Sequence, residues 1–139
     1  MVVTERITVE TRGNSQFIDI TDKVEKALKK SSMEKGIVTV FNVGSTAAIT
    51  TTEYEPGLVN HDLDTAFEKI APEKGRYDHE LTWNDNNGHS HVRASMLGPS
   101  LTVPFVDREV TLGTWQQIIL SEFDTRARSR TVICQIIGE

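Results

Sequence analysis

Cysteine is almost absent from this sequence, since Cys134 is the only one in 139 residues. No disulfide can therefore form within the chain, and the fold must rely on a core, which at this length can bury about two-thirds of the unfolded surface. Cys134 lies in the apolar run from Thr131 to Ile137, so we expect a buried and inert thiol. We expect a single domain over residues 1–139.

Long hydrophobic runs and an excess of basic residues are also missing. No apolar run approaches the roughly 18 residues that span a bilayer, so we expect no membrane partner. The 20 acidic residues outnumber the 15 basic ones, which argues against a nucleic-acid partner but allows a local basic pocket. The first residues lack the basic stretch and apolar run of a secretory signal, so we expect a cytoplasmic location.

Most of the chain has the patterns of β-strands. Thr4–Thr11 and Gln16–Ile20 alternate polar and apolar residues around the turn Gly13–Ser15, so we expect them to form a hairpin. Further β-branched or alternating runs bounded by turn residues predict strands at 36–43, 47–53, 100–106, 110–112, 115–122 and 130–137.

Two segments have helical spacing instead. The first is lysine-rich and amphipathic, with Thr21 or Asp22 as its cap and Gly36 as its end. The second should begin at Asn60 and end before Pro72. Two main helices set against about seven or eight strands, without regular βαβ alternation, predict an α+β domain with a mostly antiparallel sheet or sandwich.

The segment from His79 to Pro104 contains three of the four histidines and is the predicted site. His89 and His91 point to one face if the backbone is extended, but on a helix they diverge by about 200°. With His79 they could form an open zinc site, although loop histidines that only form hydrogen bonds are more common. If a helix begins near His89, its first amides would favour an anion.

Three carboxylates are candidates for acid–base chemistry. Asp85 could orient a histidine or act as a base, although its Asn- and Gly-rich surroundings are also typical of a turn. Glu53 and Asp62 could form a pair, or could simply end a strand and begin a helix. His61, beside the predicted helix cap, is expected to be exposed.

Other segments could bind phosphates or rings. Ser45 and Thr46 lie in a small-residue link through which a phosphate could approach the backbone. Arg93 is the better anion candidate because it lies among the histidines, whereas Arg126, Arg128 and Arg130 would clamp phosphate or form a solvated edge. A flat ring could stack in the segment of Gly113, Thr114, Trp115 and Gln116, although Trp115 is by default a core residue.

Several motifs together resemble the YjbQ-like family over nearly the whole chain. They are Ser45–Glu53, Tyr77–His79, Gly88–Pro104, Gly113–Gln116 and Gly138–Glu139. The resemblance implies a compact α+β homotrimer, and some members are described as secondary thiamine-phosphate synthases. It places the polar site on Glu53, Asp62, His79, His91, Arg93 and the segment Gly113–Gln116, with His89 present in many members.

The chain departs from this resemblance at two positions. Many relatives have a histidine at Gly44, so the role of that imidazole is absent here. Many also have glycine near Arg108, and a side chain there would cost about 1 kcal/mol if the backbone is left-handed.

Three functional hypotheses follow. In the first, the chain is an enzyme that joins a pyrimidine pyrophosphate to a thiazole phosphate, with Glu53, Asp62, Asp85 and His91 as catalytic candidates. Ser45, Thr46, Arg93 and the segment Gly113–Gln116 would bind the phosphorylated substrate, and His79, His89 and His91 would hold a divalent ion, most suitably zinc. The second is a non-catalytic trimer that binds a metal or a phosphometabolite. The third is a structural oligomer tied together by its histidines.

Overall fold

The structure, a computed structural model, describes residues 1–139 and contains two antiparallel sheets. The larger has the strand order β1 (Val2–Glu10), β8 (Ser129–Gly138), β3 (Lys35–Val43), β5 (Ser100–Val106) and β6 (Glu109–Val110). The smaller has the order β2 (Gln16–Asp19), β7 (Gln116–Glu122) and β4 (Ala47–Glu53). The predicted α+β class with antiparallel sheets is confirmed.

The predicted hairpin between the first two strands is wrong. β1 pairs with β8 along its whole length, and β2 pairs with β7 in the other sheet. The physical reason is packing on both faces of β2, because Ile18 contacts the main hydrophobic cluster, which contains Val9, while Phe17 packs in the smaller one. The link between them crosses from one sheet to the other, and the N–H of Thr11 bonds to the carbonyl of Arg128 at 2.8 Å.

The first helix, α1 (Thr21–Ser31), has the predicted apolar face, with Val24, Ala27 and Leu28 buried. Its boundaries differ from those expected. Asp19, two residues before the predicted cap Thr21, accepts the N–H of Thr21 at 2.9 Å. The helix ends with Ser32 in the left-handed region at a φ of 59°, and Gly36 lies inside β3.

The second helix begins earlier than Asn60. A π-helical turn (Leu58–Asp62) runs into α2 (Leu63–Ile70), and the carboxylate of Glu55 accepts the N–H groups of Gly57 and Leu58, both at 2.8 Å. Two further helices follow, α3 (His79–Trp83) and α4 (Gly88–Leu97). Since α4 has 10 residues and α2 has 8, the chain has three main helices and the predicted number of two is too low. No helix has both the length and the apolar character that crossing a membrane requires.

The two sheets bury two groups of side chains. The larger group of 17 residues lies beneath α1 and includes Cys134, whose pKa is raised to about 11 by burial, so the thiol is inert as expected. The smaller group brings three aromatic rings together, with Phe67 and Phe123 centroids 4.8 Å apart and Phe17 beside both.

A buried ionic network closes one end of the sandwich. Arg130, predicted to lie on a solvated edge or to clamp phosphate, is only 6% exposed and donates through Nε to Glu122 at 2.7 Å. Asp124, 1% exposed, accepts from Arg128 at 2.6 Å and from Thr46 at 2.9 Å. Burial alone would raise the pKa of Asp124, but these hydrogen bonds outweigh it and hold the pKa below its ordinary value.

Glu122→Ala should be strongly destabilising, because it leaves the Arg130 guanidinium buried without its carboxylate partner. We expect a loss of about 3 kcal/mol in the free energy of unfolding. The matched control is Glu34→Ala, which breaks the exposed ion pair with Arg108 (2.7 Å) and should cost less than about 1 kcal/mol. Urea unfolding followed by circular dichroism measures both, and equal losses would contradict the structural role of the network.

Candidate functional site

The start of α4 is fixed by one glycine. A Cβ on Gly88 would lie 2.5 Å from both the Cβ of Tyr77 and Oε1 of Glu80, so no side chain fits there. The N–H of Gly88 donates to the same Glu80 oxygen at 2.7 Å. The histidines that follow therefore lie on a helix, which resolves the two backbone alternatives and sends His89 and His91 to opposite sides.

On one side of α4, His91 meets His79, the first residue of α3. Their ring centroids are 4.6 Å apart with an interplanar angle of 40°. Nδ1 of His79 lies 3.0 Å from Asp85 and 3.8 Å from Glu80. One ligand atom each from His79, Glu80 and Asp85 falls within 4.8 Å of the others. We call these three residues and His91 the histidine cluster.

Nδ1 of His79 has an unusual environment within this cluster. The atom is shielded from solvent and makes no hydrogen bond, although an oxygen of Asp85 lies 3.0 Å away. A buried polar atom without a partner costs free energy. In the tautomer that carries its proton on Nε2, Nδ1 has a lone pair that can bind a cation. A metal ion placed between the ring and the carboxylates would satisfy it.

The histidine cluster opens onto a polar pocket of about 340 Å³. The pocket is lined by Glu73, Lys74, Gly75, Glu80, Asp85 and Asn86. Two of these residues belong to the cluster itself, so a small molecule in the pocket would reach the donor atoms directly. Glu80 was not among the predicted site residues, although the acidic residue beside His79 was a signal that could have indicated it.

On the opposite side of α4, His89 is fully buried and separate from the predicted three-histidine site. Nε2 lies 3.4 Å from the side-chain oxygen of Asn14 and 3.5 Å from the hydroxyl of Ser90. Burial lowers the pKa of His89, and the charge of Arg93 lowers it further. This environment favours a neutral imidazole within the fold.

Arg93, the predicted anion ligand, is also fully buried. Its Nε donates to the carbonyl of Ala71 at 2.8 Å, and its terminal nitrogens bond Ser15 and Glu68, each at 2.8 Å. The guanidinium therefore pins α4 to α2 and the link before β2. The predicted phosphate role does not fit this bonding, because an anion would have to displace these partners.

The other phosphate candidates are separated from each other. Thr46 is buried in the ionic network, where it accepts from Arg130 at 2.7 Å, whereas Ser45 is exposed beside a shallow pocket of about 230 Å³ against α4. Gly44 has a φ of 135°, and a Cβ there would lie 2.9 Å from Nη1 of Arg130, so a histidine at this position would be strained. Arg108 has a φ of 65°, which meets the condition for the predicted local cost.

Trp115 is 73% exposed, so the default expectation of a core tryptophan is wrong. It lies in the turn Gly113–Gln116, where the N–H of Gly113 donates to the Gln116 side chain at 3.1 Å. Trp115 and Glu53 line the same pocket, of about 400 Å³. Asp62 does not line it and instead lies 2.9 Å from His61, which is exposed as expected.

The chain matches a known family over almost its whole length. The model of the family described as UPF0047 protein YjbQ-like matches residues 5–139. A UPF0047 protein from Methanothermobacter thermautotrophicus is 36% identical over 138 residues, covering 99% of this chain and 94% of that protein. UPF0047 protein YjbQ of Escherichia coli O157:H7 is 30% identical over 134 residues, covering 96% and 94%.

Solved structures agree with these sequence matches. A YbjQ-like protein of unknown function from Sulfolobus solfataricus P2 superposes with a TM-score of 0.88 at 31% identity and covers 100% of both chains. A protein from Clostridium acetobutylicum, described as an uncharacterized conserved protein of the yjbq/upf0047 family, gives a TM-score of 0.86 at 36% identity and covers 96% of this chain and 99% of that one. With the family model, the curated relatives and the fold in agreement, the chain belongs to the UPF0047 YjbQ-like family.

Proposed function

We propose that this protein is an enzyme that binds a divalent cation in the histidine cluster and carries out group transfer on a phosphorylated metabolite. The observation that carries the proposal is the convergence of donor atoms from His79, Glu80 and Asp85 within 4.8 Å. Nδ1 of His79 has no hydrogen-bond partner within the chain, and a bound cation would supply one interaction for it.

The donor set suits zinc best among common ions. Imidazole nitrogens and carboxylate oxygens both bind zinc, and three protein ligands leave a fourth position open for water or substrate. Of the three predicted histidines, the buried His89 is left out of the proposed set, and His91 keeps its place because its ring contacts His79. Without an ion, the pairing of His79 with Asp85 would instead support acid–base chemistry.

We propose a thiamine-phosphate synthase-type reaction, in which a pyrimidine pyrophosphate and a thiazole phosphate are joined and pyrophosphate is released. The resemblance to the family is the source of this assignment. The reaction forms a carbon–nitrogen bond as a carbon–oxygen bond breaks, and its main demand is to neutralise charge on the departing pyrophosphate. A bound divalent cation supplies that neutralisation, and Lys74 in the adjoining pocket adds positive charge.

We also propose that the protein assembles as a homotrimer through the outer face of the five-stranded sheet. No helix of the chain covers this face, and four neighbouring strands align Val2, Ile137, Ile37 and Pro104 in one row. The apolar residues exposed on this face by 40% or more are Val2, Ile37, Phe41, Val43, Val106 and Ile137. Arg6 and Lys35 lie on the same face, so the apolar residues form a row between charged ones. Exposed apolar residues grouped on one uncovered face are typical of a protein interface.

His79→Ala and His91→Ala should each reduce the zinc content of purified protein and abolish thiamine-phosphate formation from purified precursors. His61→Ala is the control, because this exposed histidine lies outside the cluster. Elemental analysis and product chromatography measure the two effects. Wild-type protein that binds zinc in stoichiometric amounts without forming product would support the non-catalytic alternative, and protein with neither property would overturn the proposal.

Ile37→Glu should convert trimers to monomers in light scattering, because it places a charge within the apolar row of Val2, Ile137, Ile37 and Pro104. The matched control is Ile70→Glu, where the side chain is 59% exposed on α2, a helix that packs on the smaller hydrophobic group. A wild-type protein of single-chain mass would show that the proposed assembly does not form.

His89→Gln should flatten the pH dependence of stability as the pH falls through about 6.5 and below. The pKa of His89 is lowered below 6.5 in the folded chain, so the unfolded chain binds more protons between those two pKa values. The stability contributed by the neutral ring is therefore complete above about pH 6.5 and is lost as the pH falls. Urea unfolding at several pH values tests this, with His61→Gln as a control that should retain the wild-type slope.

A further inference from the structure

A second pocket, of about 400 Å³, lies at one end of the three-stranded sheet. The strand order places β7 between β2 and β4, so Asp19 at the end of β2 and Glu53 at the end of β4 flank the start of β7. The full lining is Asp19, Glu53, Tyr54, Glu55, Pro56, Trp115 and Gln117. The pocket shares no lining residue with the histidine cluster.

Two aromatic side chains are presented to this pocket by a fixed backbone. Trp115 is 73% exposed and Tyr54 is 45% exposed. The hydroxyl of Tyr54 donates to the carbonyl of Phe17 at 3.0 Å, which holds its ring beside the end of β2. Gln116 closes the turn that carries Trp115, and its amide nitrogen also donates to Thr51 at 3.0 Å. Exposed rings held in place in this way are suited to contact a ligand.

The charges around the rings are all of one sign. Asp19, Glu53 and Glu55 line the pocket together with no basic residue, and none of the three forms an ion pair within the chain. Asp19 and Glu55 accept backbone N–H groups. Glu53 makes no such bond, so its carboxylate remains free for a ligand. An uncompensated negative field of this kind repels phosphate and attracts cations.

We propose that this pocket binds an organic cation, either a quaternary ammonium group or a positively charged ring, between Trp115 and Tyr54 with Glu53 as its charge partner. Aromatic faces attract cations through their quadrupole, and a nearby carboxylate adds a direct charge interaction. Glu53 and the segment Gly113–Gln116 are also in the site that the family resemblance implies, but this pocket has no basic residue and so favours a cation over the phosphate expected there. The assignment does not depend on the proposed group transfer. If the protein also carries out the proposed group transfer, phosphate groups bind at the histidine cluster and cationic groups bind in this pocket.

The chain allows a direct optical test because it has two tryptophans, Trp83 and Trp115. In a Trp83→Phe background, Trp115 is the only indole and reports on the pocket. Titration with tetramethylammonium chloride should change its emission saturably, whereas sodium chloride at the same ionic strength and inorganic pyrophosphate should not. Glu53→Gln and Tyr54→Leu in that background should each weaken the apparent affinity about two- to fivefold, and Glu109→Gln, an exposed acid outside the pocket, should leave it unchanged.

An emission change that does not saturate, or saturation that is unaffected by Glu53→Gln and Tyr54→Leu, would overturn the proposal. Equal saturation by pyrophosphate would overturn it as well. Zinc content measured on the same samples keeps this result separate from the histidine cluster, because His91→Ala should lose zinc and retain the tetramethylammonium response.

Discussion

The hydrogen bond from the N–H of Gly88 to the carboxylate of Glu80 determines how the candidate site is built. It joins the start of α4 to α3 at a point where only glycine fits. Because α4 begins there, residues two apart point about 200° away from each other. His91 therefore contacts His79, and His89 is buried. The same Glu80 oxygen lies near Nδ1 of His79, so one carboxylate both positions the helices and contributes to the cluster.

The sequence predicts most strands and the apolar face of α1 because these follow from local periodicity. It does not predict which strand pairs with which. Val9 and Phe17 have the same alternating context, yet they pack in different cores. The pairing of β1 with β8 joins opposite ends of the chain, and only the complete set of packing contacts selects it over a local hairpin.

The candidate site is only partly predictable from the sequence, because tertiary contacts decide its geometry as well. The spacing of His89 and His91 allows two geometries, and tertiary contacts of Gly88 select the helical one. Arg93 lies near the histidines in the sequence, but its hydrogen bonds to Ala71 and Glu68 hold helices together. The sequence does not show this role, because both partners are more than 20 residues away. Trp115 shows the reverse case, since a residue type that is usually buried is held at the surface by the turn that carries it.

The exposure of both tryptophans affects how unfolding of this protein can be observed. Trp83 is 70% exposed and Trp115 is 73% exposed, so both indoles already contact water in the native state. Their emission wavelength in the folded chain therefore lies close to that of a denatured one, and the usual red shift on denaturation is small. Far-ultraviolet dichroism, which follows the two sheets directly, is the better spectroscopic measure of whether a variant is folded.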